Sequence, residues 1–279
     1  MNIQQALQQA SQALSETSPS AGLDAQVLLT HTLHCNSAHL AAWPEKDLSE
    51  QQASQYLRLI QQRIEGVPVA HLTGTREFWS LNFNVDDSTL IPRPETETLV
   101  EFILEKFADI KNLKLLDMGT GTGAIAVAIA KEKPEWQIFA SDVSEQALDL
   151  ARQNSDLHQT DNTTFTHSNW FNEITDHDFD IIVCNPPYIA EDDPHLSAGD
   201  VRFEPRSALT SGTEGMDDIE QLCLHAKNHL TNNGWLIIEH GYNQNQLVAD
   251  CFAKNGYTQI EQKKDLSGHT RMTAGKRKF

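Results

Sequence analysis

The chain of 279 residues is 39% hydrophobic and 22% charged, which is ordinary for a globular protein, and its formal net charge is −18. No apolar run approaches the ~20 residues that span a bilayer, and the first residues lack the basic start and apolar core of a signal peptide, so we expect a cytoplasmic protein. The four cysteines form no C-x-x-C pair and the histidines lack metal-ligand spacing, so neither a disulfide framework nor a metal site is predicted.

The first 72 residues predict a small bundle of helices. Apolar residues recur at helical spacing over residues 3–14, and a second series follows the break at residues 19–22. A third helix is predicted over residues 49–66. Because no group of catalytic side chains accompanies these helices, we interpret residues 1–72 as a helical substrate-recognition domain.

Residues 73–94 follow a different pattern. Leu81, Phe83 and Val85 alternate with polar residues, which favours a strand and a hairpin, and Pro92 and Pro94 stiffen the exit from it. We assign residues 73–94 as a hairpin and linker between domains. Residues 90–97, with Arg93, are interpreted either as a rigid hinge or as the lining of a substrate pocket.

From residue 95 to residue 279, strand-like and helix-like stretches alternate. This alternation is typical of a parallel sheet covered by helices, so the predicted fold class is α/β with a mostly parallel sheet. The predicted strands are residues 113–117, 136–140, 163–167, 179–184 and 235–239, with a closing antiparallel pair at 257–263 and 270–273. The predicted helices are residues 124–131, 144–154 and 219–230.

Three glycines join the first of these strands to its helix, in the run Asp117-Met118-Gly119-Thr120-Gly121-Thr122-Gly123. Glycine allows the backbone to pass close to a ligand where a Cβ would clash. Dinucleotide-binding loops use G-x-G-x-x-G, whose last glycine is replaced here by Ala124. The pattern is instead similar to the first motif of S-adenosylmethionine-dependent methyltransferases. A purely structural tight turn is the alternative.

Two further candidate residues follow the second and third predicted strands. Asp142 stands where an acidic side chain accepts hydrogen bonds from ribose hydroxyls in other nucleotide-binding α/β folds, although Asp142 and Ser144 could instead cap the next helix. Trp170 could pack against an adenine ring or belong to the ordinary core.

The tetrapeptide Asn185-Pro186-Pro187-Tyr188 directly follows the apolar run of the fourth strand. Two prolines cannot continue a strand, so an amide and an aromatic ring are held at the strand's C-terminal edge, where ligands bind in open α/β sheets. The tetrapeptide resembles the signature of methyltransferases that alkylate a planar amino nitrogen. Asn185 Oδ1 and the Pro186 carbonyl could accept the two N–H groups of that nitrogen, with Tyr188 as a wall against the flat group. A structural Pro-Pro turn is the alternative.

This tetrapeptide occurs both in enzymes that methylate nucleobase amino groups and in those that methylate glutamine amides, and the motif does not separate them. The chain resembles the bacterial release factor glutamine methyltransferase (PrmC/HemK) family over essentially its whole length. The stretches that carry the resemblance are residues 70–74, 76–79, 90–97, 117–123, 185–189 and 199–205.

The resemblance implies a Rossmann-like class I methyltransferase sheet, S-adenosyl-L-methionine as cofactor, and the glutamine of the Gly-Gly-Gln motif of class I peptide chain release factors as substrate. The implied cofactor-binding residues are Gly119, Thr120, Gly121, Thr122, Gly123, Asp142, Trp170 and Asn185. The implied substrate-binding residues are Asn185, Pro186, Pro187 and Tyr188, of which Asn185, Pro186 and Tyr188 are catalytic.

Three alternatives remain open at this point. A glutamine methyltransferase acting on a ribosomal protein would share the same motif. The net charge of −18 opposes binding of free nucleic acid and attracts a basic protein, which argues against a nucleic-acid methyltransferase. The intact tetrapeptide argues against a non-enzymatic module that only binds S-adenosylmethionine. We expect a monomer that contacts neither nucleic acid nor a membrane.

Overall fold

The computed structural model describes residues 1–278, so the last residue of the predicted domain 95–279, Phe279, lies outside the described residues. The chain forms two compact units. The first comprises Met1–Thr75 together with Ser197–Phe203, and the second comprises Arg76–Leu196 and the chain from Glu204 onward. Each unit has a hydrophobic core of its own.

The first unit is helical, as its apolar periodicity predicts. Two of its helices begin with capping boxes, in which Asn2 pairs with Gln5 and Ser49 pairs with Gln52, so the predicted start of the third helix near residue 49 is confirmed. The helices are α1 (Ile3–Leu14), α2 (Ala21–Leu33), α3 (Ser37–Ala42), α4 (Glu50–Ile64) and α5 (Val69–Thr73).

A buried arginine ties the segment 197–203 to these helices. Arg63 Nε donates to Asp24 Oδ2 at 2.8 Å, and Arg63 Nη1 donates to Asp200 Oδ1 at 2.8 Å. Nη1 also donates to the Val67 carbonyl at 3.1 Å. Because one guanidinium meets two carboxylates, burial of its charge is compensated within the first unit.

The second unit begins with a hairpin and continues as an α/β sheet. Strands β1 (Thr75–Phe78) and β2 (Leu81–Asn84) pair with each other. The helices that follow are α6 (Glu97–Lys106), α7 (Ala124–Glu132), α8 (Glu145–His158), α9 (Asp217–His225) and α10 (Asn245–Lys254). The strands are β3 (Lys114–Met118), β4 (Gln137–Asp142), β5 (Thr163–His167), β6 (Phe179–Cys184), β7 (Leu230–Glu239), β8 (Tyr257–Lys264) and β9 (Thr270–Arg277).

The seven strands from β3 to β9 form one sheet in the order β5-β4-β3-β6-β7-β9-β8. Strands β3 to β7 are parallel, and β9 runs antiparallel to both neighbours. Both faces are buried, because successive residues such as Leu115 and Leu116 belong to different apolar clusters. The predicted fold class, with its antiparallel closing pair, is confirmed.

The predicted helix is confirmed over residues 219–225, whereas the prediction was wrong over residues 226–234. The predicted helix over 219–230 ends at His225, a short 3₁₀ turn follows, and Leu230 already begins β7. The polar run 231–234 has the composition of a turn, yet the strand continues through it because the pairing with β6 tolerates an irregularity between Phe179 and Ile181. Helix α10 was not predicted. None of the described helices is long and apolar enough to cross a membrane.

Candidate active site

The glycine loop leaves the carboxyl end of β3 and enters α7. Gly119, Gly121 and Gly123 have φ values of +66°, +54° and +80°, in the left-handed region that favours glycine. The Thr120 N–H donates to the Ser141 carbonyl at 2.9 Å, which attaches the loop to the end of β4. The loop is therefore fixed at the sheet edge where the parallel strands end.

Asp117 lies beneath this loop with only 1% of its surface exposed. Its Oδ2 accepts from the Thr120 hydroxyl at 2.7 Å and from the Ala126 N–H at 3.2 Å, whereas Oδ1 has no hydrogen-bond partner among the described residues. Burial raises the pKa of Asp117 to about 7, against the effect of these two donors. Asp117 does not line the cavity described below, so its observed contacts are with the loop and with the start of α7.

Asp142, at the end of β4, has a role in holding the loop. Its Oδ2 accepts from the Gly121 N–H at 2.9 Å and its Oδ1 accepts from the Ser144 N–H at 2.9 Å. Burial raises the pKa of Asp142, although these backbone donors oppose the rise. The helix cap itself is Ser144, whose hydroxyl oxygen accepts from the Ala147 N–H at 3.2 Å. The carboxylate of Asp142 therefore faces the loop and is not consumed by capping α8.

Trp170 lies between the core and the cavity, and its packing against an adenine ring stays a prediction. It packs against the apolar cluster on one face of the sheet and also lines a cavity at the sheet edge. Its backbone has a φ of +52°, and the Ser168 hydroxyl donates to its carbonyl at 2.6 Å. A tight turn after β5 thus presents the indole at the edge of the cavity.

The Asn-Pro-Pro-Tyr turn leaves the carboxyl end of β6, beside the glycine loop. Asn185 Nδ2 donates to Thr96 Oγ1 at 3.1 Å, Pro186 is buried, and the Tyr188 hydroxyl donates to Glu239 Oε1 at 3.2 Å. Beyond the turn, the Ile189 N–H donates to the Leu209 carbonyl at 2.9 Å. The backbone of the turn is held on both sides, and the Thr96 hydroxyl is the observed partner of the Asn185 amide.

A cavity of about 250 Å³ brings most of the predicted residues together. Gly123 and Tyr188 do not belong to its lining: Gly123 packs against Ala151 of α8, and the Tyr188 ring packs against the apolar cluster. The predicted residues that line the cavity are Gly119, Thr120, Gly121, Thr122, Asp142, Trp170, Asn185, Pro186 and Pro187.

The segment between the hairpin and α6 forms a further wall of the cavity. The residue pattern alone did not decide between a hinge and a pocket lining for residues 90–97. Ser88, Thr89, Leu90, Pro92, Arg93 and Thr96 all line the cavity, so of the two interpretations of residues 90–97 the structure favours the pocket. Its position is held by the buried carboxylate of Glu204, which accepts from the Ile91 N–H at 3.0 Å and from Arg93 Nη2 at 2.5 Å.

The roles of Thr96 and Glu239 were not found from the sequence. Thr96 lies 89 residues from its partner Asn185, and Glu239 lies 51 residues from Tyr188. The available signal was position alone: Thr96 belongs to the segment 90–97 that carries part of the family resemblance, and Glu239 ends a predicted strand.

Comparisons with known proteins agree with this architecture. Residues 5–74 match the family model of the PrmC N-terminal domain, and residues 95–212 match that of the methyltransferase small domain. A methyltransferase structure from Pyrococcus furiosus aligns with a TM-score of 0.54 at 16% identity, covering 81% of this chain and all of that one, and shows the fold.

Two curated relatives extend over the whole chain. A release factor glutamine methyltransferase from Shewanella oneidensis is 47% identical over 98% of this chain and 96% of its own length. One from Vibrio cholerae is 45% identical over 100% of this chain and 98% of its own length. At this identity and coverage, the chain belongs to the release factor glutamine methyltransferase family.

Proposed function

We propose that the protein transfers a methyl group from S-adenosyl-L-methionine to the side-chain amide nitrogen of a glutamine, in the Gly-Gly-Gln motif of class I peptide chain release factors. The observation that carries this proposal is one cavity lined both by the glycine loop with Asp142 and by Asn185, Pro186 and Pro187. A donor site and an acceptor site for a methyl group thus adjoin at one sheet edge.

The residues of the cavity fit this cofactor. A Cβ built on Gly119 would meet no atom within 4 Å, so the loop leaves space for a ligand in the cavity that it lines. Val143, an apolar side chain that is 60% exposed, lines the same cavity and suits one face of a flat base. Residues 119–122 of the loop, together with Asp142, Trp170 and Asn185, would hold the cofactor, whose sulfonium supplies an electrophilic methyl group.

The turn at residues 185–188 would hold the acceptor. An amide nitrogen is a weak nucleophile because its lone pair is delocalised into the carbonyl. Asn185 Oδ1 and the Pro186 carbonyl oxygen would accept its two N–H groups and favour the pyramidal, electron-rich nitrogen that attacks. The new N–CH₃ bond would form as the bond between this methyl carbon and sulfur breaks, leaving neutral S-adenosylhomocysteine, and the nitrogen would pass one proton to solvent. Positioning supplies the main part of the rate enhancement.

Tyr188 supports the turn in this scheme. Its hydroxyl is bonded to Glu239, and its carbonyl accepts from Gln244 Nε2 at 3.0 Å. Because the ring packs against the core, its contribution to glutamine binding is to keep the neighbouring prolines and Asn185 in place. A direct contact with the substrate stays a prediction.

The names of the full-length relatives favour a release factor over the alternatives. A ribosomal protein would present the same kind of amide, and a nucleic acid would meet a chain of net charge −18, which opposes its approach. The monomeric state, the absence of direct nucleic-acid binding and the cytoplasmic location stay predictions.

The proposal is tested by offering purified release factor, ribosomal proteins, DNA and RNA separately to the enzyme with methyl-labelled S-adenosylmethionine. We expect label on the release factor alone. Label on nucleic acid with none on protein would refute the proposed substrate class, and label on a ribosomal protein alone would select the second candidate.

A further inference from the structure

We propose that Glu239 is a positioning residue: by accepting the hydroxyls of Thr96 and Tyr188 it sets the direction of the hydrogen bonds that aim Asn185 at the substrate amide. The inference rests on the proposed function and adds to it residues that lie outside the Asn-Pro-Pro-Tyr turn.

The sheet places Glu239 next to the turn. Strands β6 and β7 are parallel neighbours in which Cys184 pairs with Ile238, so the residues that follow, Asn185 and Glu239, lie side by side at the carboxyl edge. Only 1% of the surface of Glu239 is exposed. A buried carboxylate at this edge needs donors, and this site supplies hydroxyls.

Two hydroxyls face the carboxylate. The Tyr188 hydroxyl donates to Oε1 at 3.2 Å. Oε2 meets no donor at full hydrogen-bond geometry among the described residues, and the Thr96 hydroxyl is near enough to lower the pKa of Glu239 through hydrogen bonding. Thr96 in turn accepts from Asn185 Nδ2 at 3.1 Å. Among the described residues the Thr96 hydroxyl donates to no other group and Oε2 accepts from none, so we assign a Thr96–Glu239 hydrogen bond as the middle step of a chain from Glu239 to Asn185.

The direction of this chain decides what Asn185 can do. An ionised carboxylate only accepts, so Thr96 must point its proton at Glu239 and offer its oxygen to Asn185. Asn185 must then turn Nδ2 toward Thr96, which leaves Oδ1 for the N–H group of the substrate. If Glu239 were protonated, it could donate to Thr96, and Thr96 could donate to Asn185 Oδ1. The amide would then present the wrong end to the substrate.

The charges around Glu239 make this direction sensitive to pH. Burial raises the pKa of Glu239 to about 7, and the charge of Glu95 adds to the rise. The rise is opposed by the hydroxyls of Thr96 and Tyr188 and by the charge of Arg271. On β6, burial raises the pKa of the Cys184 thiol, and the charge of Glu239 adds to that rise. Arg271 itself is paired with Asp265. Methyl transfer should therefore fall as the pH drops below 7.

Kinetics of four variants test the relay. Glu239→Gln should lower kcat about 100-fold while the Kd for S-adenosylmethionine changes less than about threefold, since misdirected positioning groups act on the chemical step. Thr96→Val should lower kcat similarly, and Thr96→Ser, which restores the hydroxyl, should recover most of the loss. Thr32→Val removes a buried threonine hydroxyl in the helical unit and serves as the matched control, with kcat within about twofold of the wild type.

The pH profile separates positioning from a purely structural role. Because the pKa of Asp117 is also about 7, both profiles are recorded at saturating S-adenosylmethionine in an Asp117→Asn background. There kcat should rise between pH 6 and pH 8 with an apparent pKa near 7, and the added Glu239→Gln substitution should make the profile flat. If Glu239→Gln kept kcat within threefold of the wild type, or kept the inflection, the proposal would be wrong.

A spectroscopic measurement is independent of turnover. In the cofactor-free protein, the side-chain ¹⁵NH₂ signals of Asn185, identified by their loss in Asn185→Ala, should shift between pH 6 and pH 8.5 with a midpoint near 7. This shift should vanish in Glu239→Gln, and a titration that persists there would overturn the relay. If the wild type methylated no release factor, the proposed function would fail, and this titration alone would decide whether Glu239 orients Asn185.

Discussion

Two glycines of the same loop should respond in opposite ways to the same substitution. Gly119 and Gly123 both have left-handed backbones, so alanine at either position carries a conformational cost of roughly 1–2 kcal/mol. Their surroundings differ. A Cβ on Gly119 would meet nothing within 4 Å at a position that lines the cavity, whereas a Cβ on Gly123 would stand 3.1 Å from the Cβ and 3.3 Å from the Cα of Ala151.

The magnitudes follow from that contrast. Crowding against the backbone of α8 should add about 1–3 kcal/mol to the conformational cost, so Gly123→Ala should be destabilised by roughly 2–5 kcal/mol and Gly119→Ala by roughly 1–2 kcal/mol. For S-adenosylmethionine the order should reverse. The methyl group of Gly119→Ala would occupy ligand space and weaken binding tenfold or more, a loss of about 1.4 kcal/mol or above.

Urea unfolding of the cofactor-free variants measures the first quantity, and calorimetric titration with S-adenosylmethionine, at a temperature where both variants are folded, measures the second. We expect Gly123→Ala to bind within about threefold of the wild type. If Gly119→Ala bound the cofactor normally while Gly123→Ala lost binding, the loop would be a structural turn and not the cofactor cradle proposed here.

Three other substitutions probe the turn, the helical unit and the buried acid. Asn185→Ala should abolish methyl transfer while leaving cofactor binding largely intact; unchanged turnover would remove Asn185 from the mechanism. Arg63→Met leaves two buried or half-buried carboxylates without their cation and should lower the free energy of unfolding in urea by roughly 3–5 kcal/mol. The control Arg152→Met breaks an exposed pair with Asp149 and should lower it by less than about 1 kcal/mol. The pKa of Asp117 is about 7 in the folded protein and 3.8 in the unfolded chain. As the pH rises from about 4 to about 7, the carboxyl ionises in the unfolded chain before it does in the folded protein, so the folded state loses stability. Asp117→Asn should therefore raise the thermal midpoint of the cofactor-free protein more at pH 8 than at pH 5.5, and an equal shift at both values would contradict the assigned pKa.

Strands were predictable where short apolar runs have polar borders. The bounds of β5 and β6 agree with the predicted residues 163–167 and 179–184, and β6 ends where the Pro-Pro turn cannot continue the strand. The same reasoning failed at residues 226–234, where the predicted helix continued to residue 230 and the polar residues 231–234 of β7 were left out of the predicted strand. Strand pairing overrode local composition there.

The candidate site was predictable to the extent that it is local in sequence. The glycine loop, Asp142 and the Asn-Pro-Pro turn were found because each follows a predicted strand, and the topology then brings the ends of β3, β4 and β6 to one edge. Thr96 and Glu239 were not found, because their partnership with the turn depends on the register between β6 and β7 and on the path of the segment before α6. A residue pattern carries no record of such contacts.

The central claim, methylation of a glutamine amide in a release factor, is tested most directly by locating the transferred group. Tandem mass spectrometry of a class I release factor, after incubation with the enzyme and methyl-labelled S-adenosylmethionine, should place one labelled methyl group on the side-chain nitrogen of the Gly-Gly-Gln glutamine. The same incubation with a release factor carrying glutamate in place of that glutamine should leave it unlabelled. Label on any other residue of the wild-type factor, or persistent label on the glutamate variant, would contradict the account.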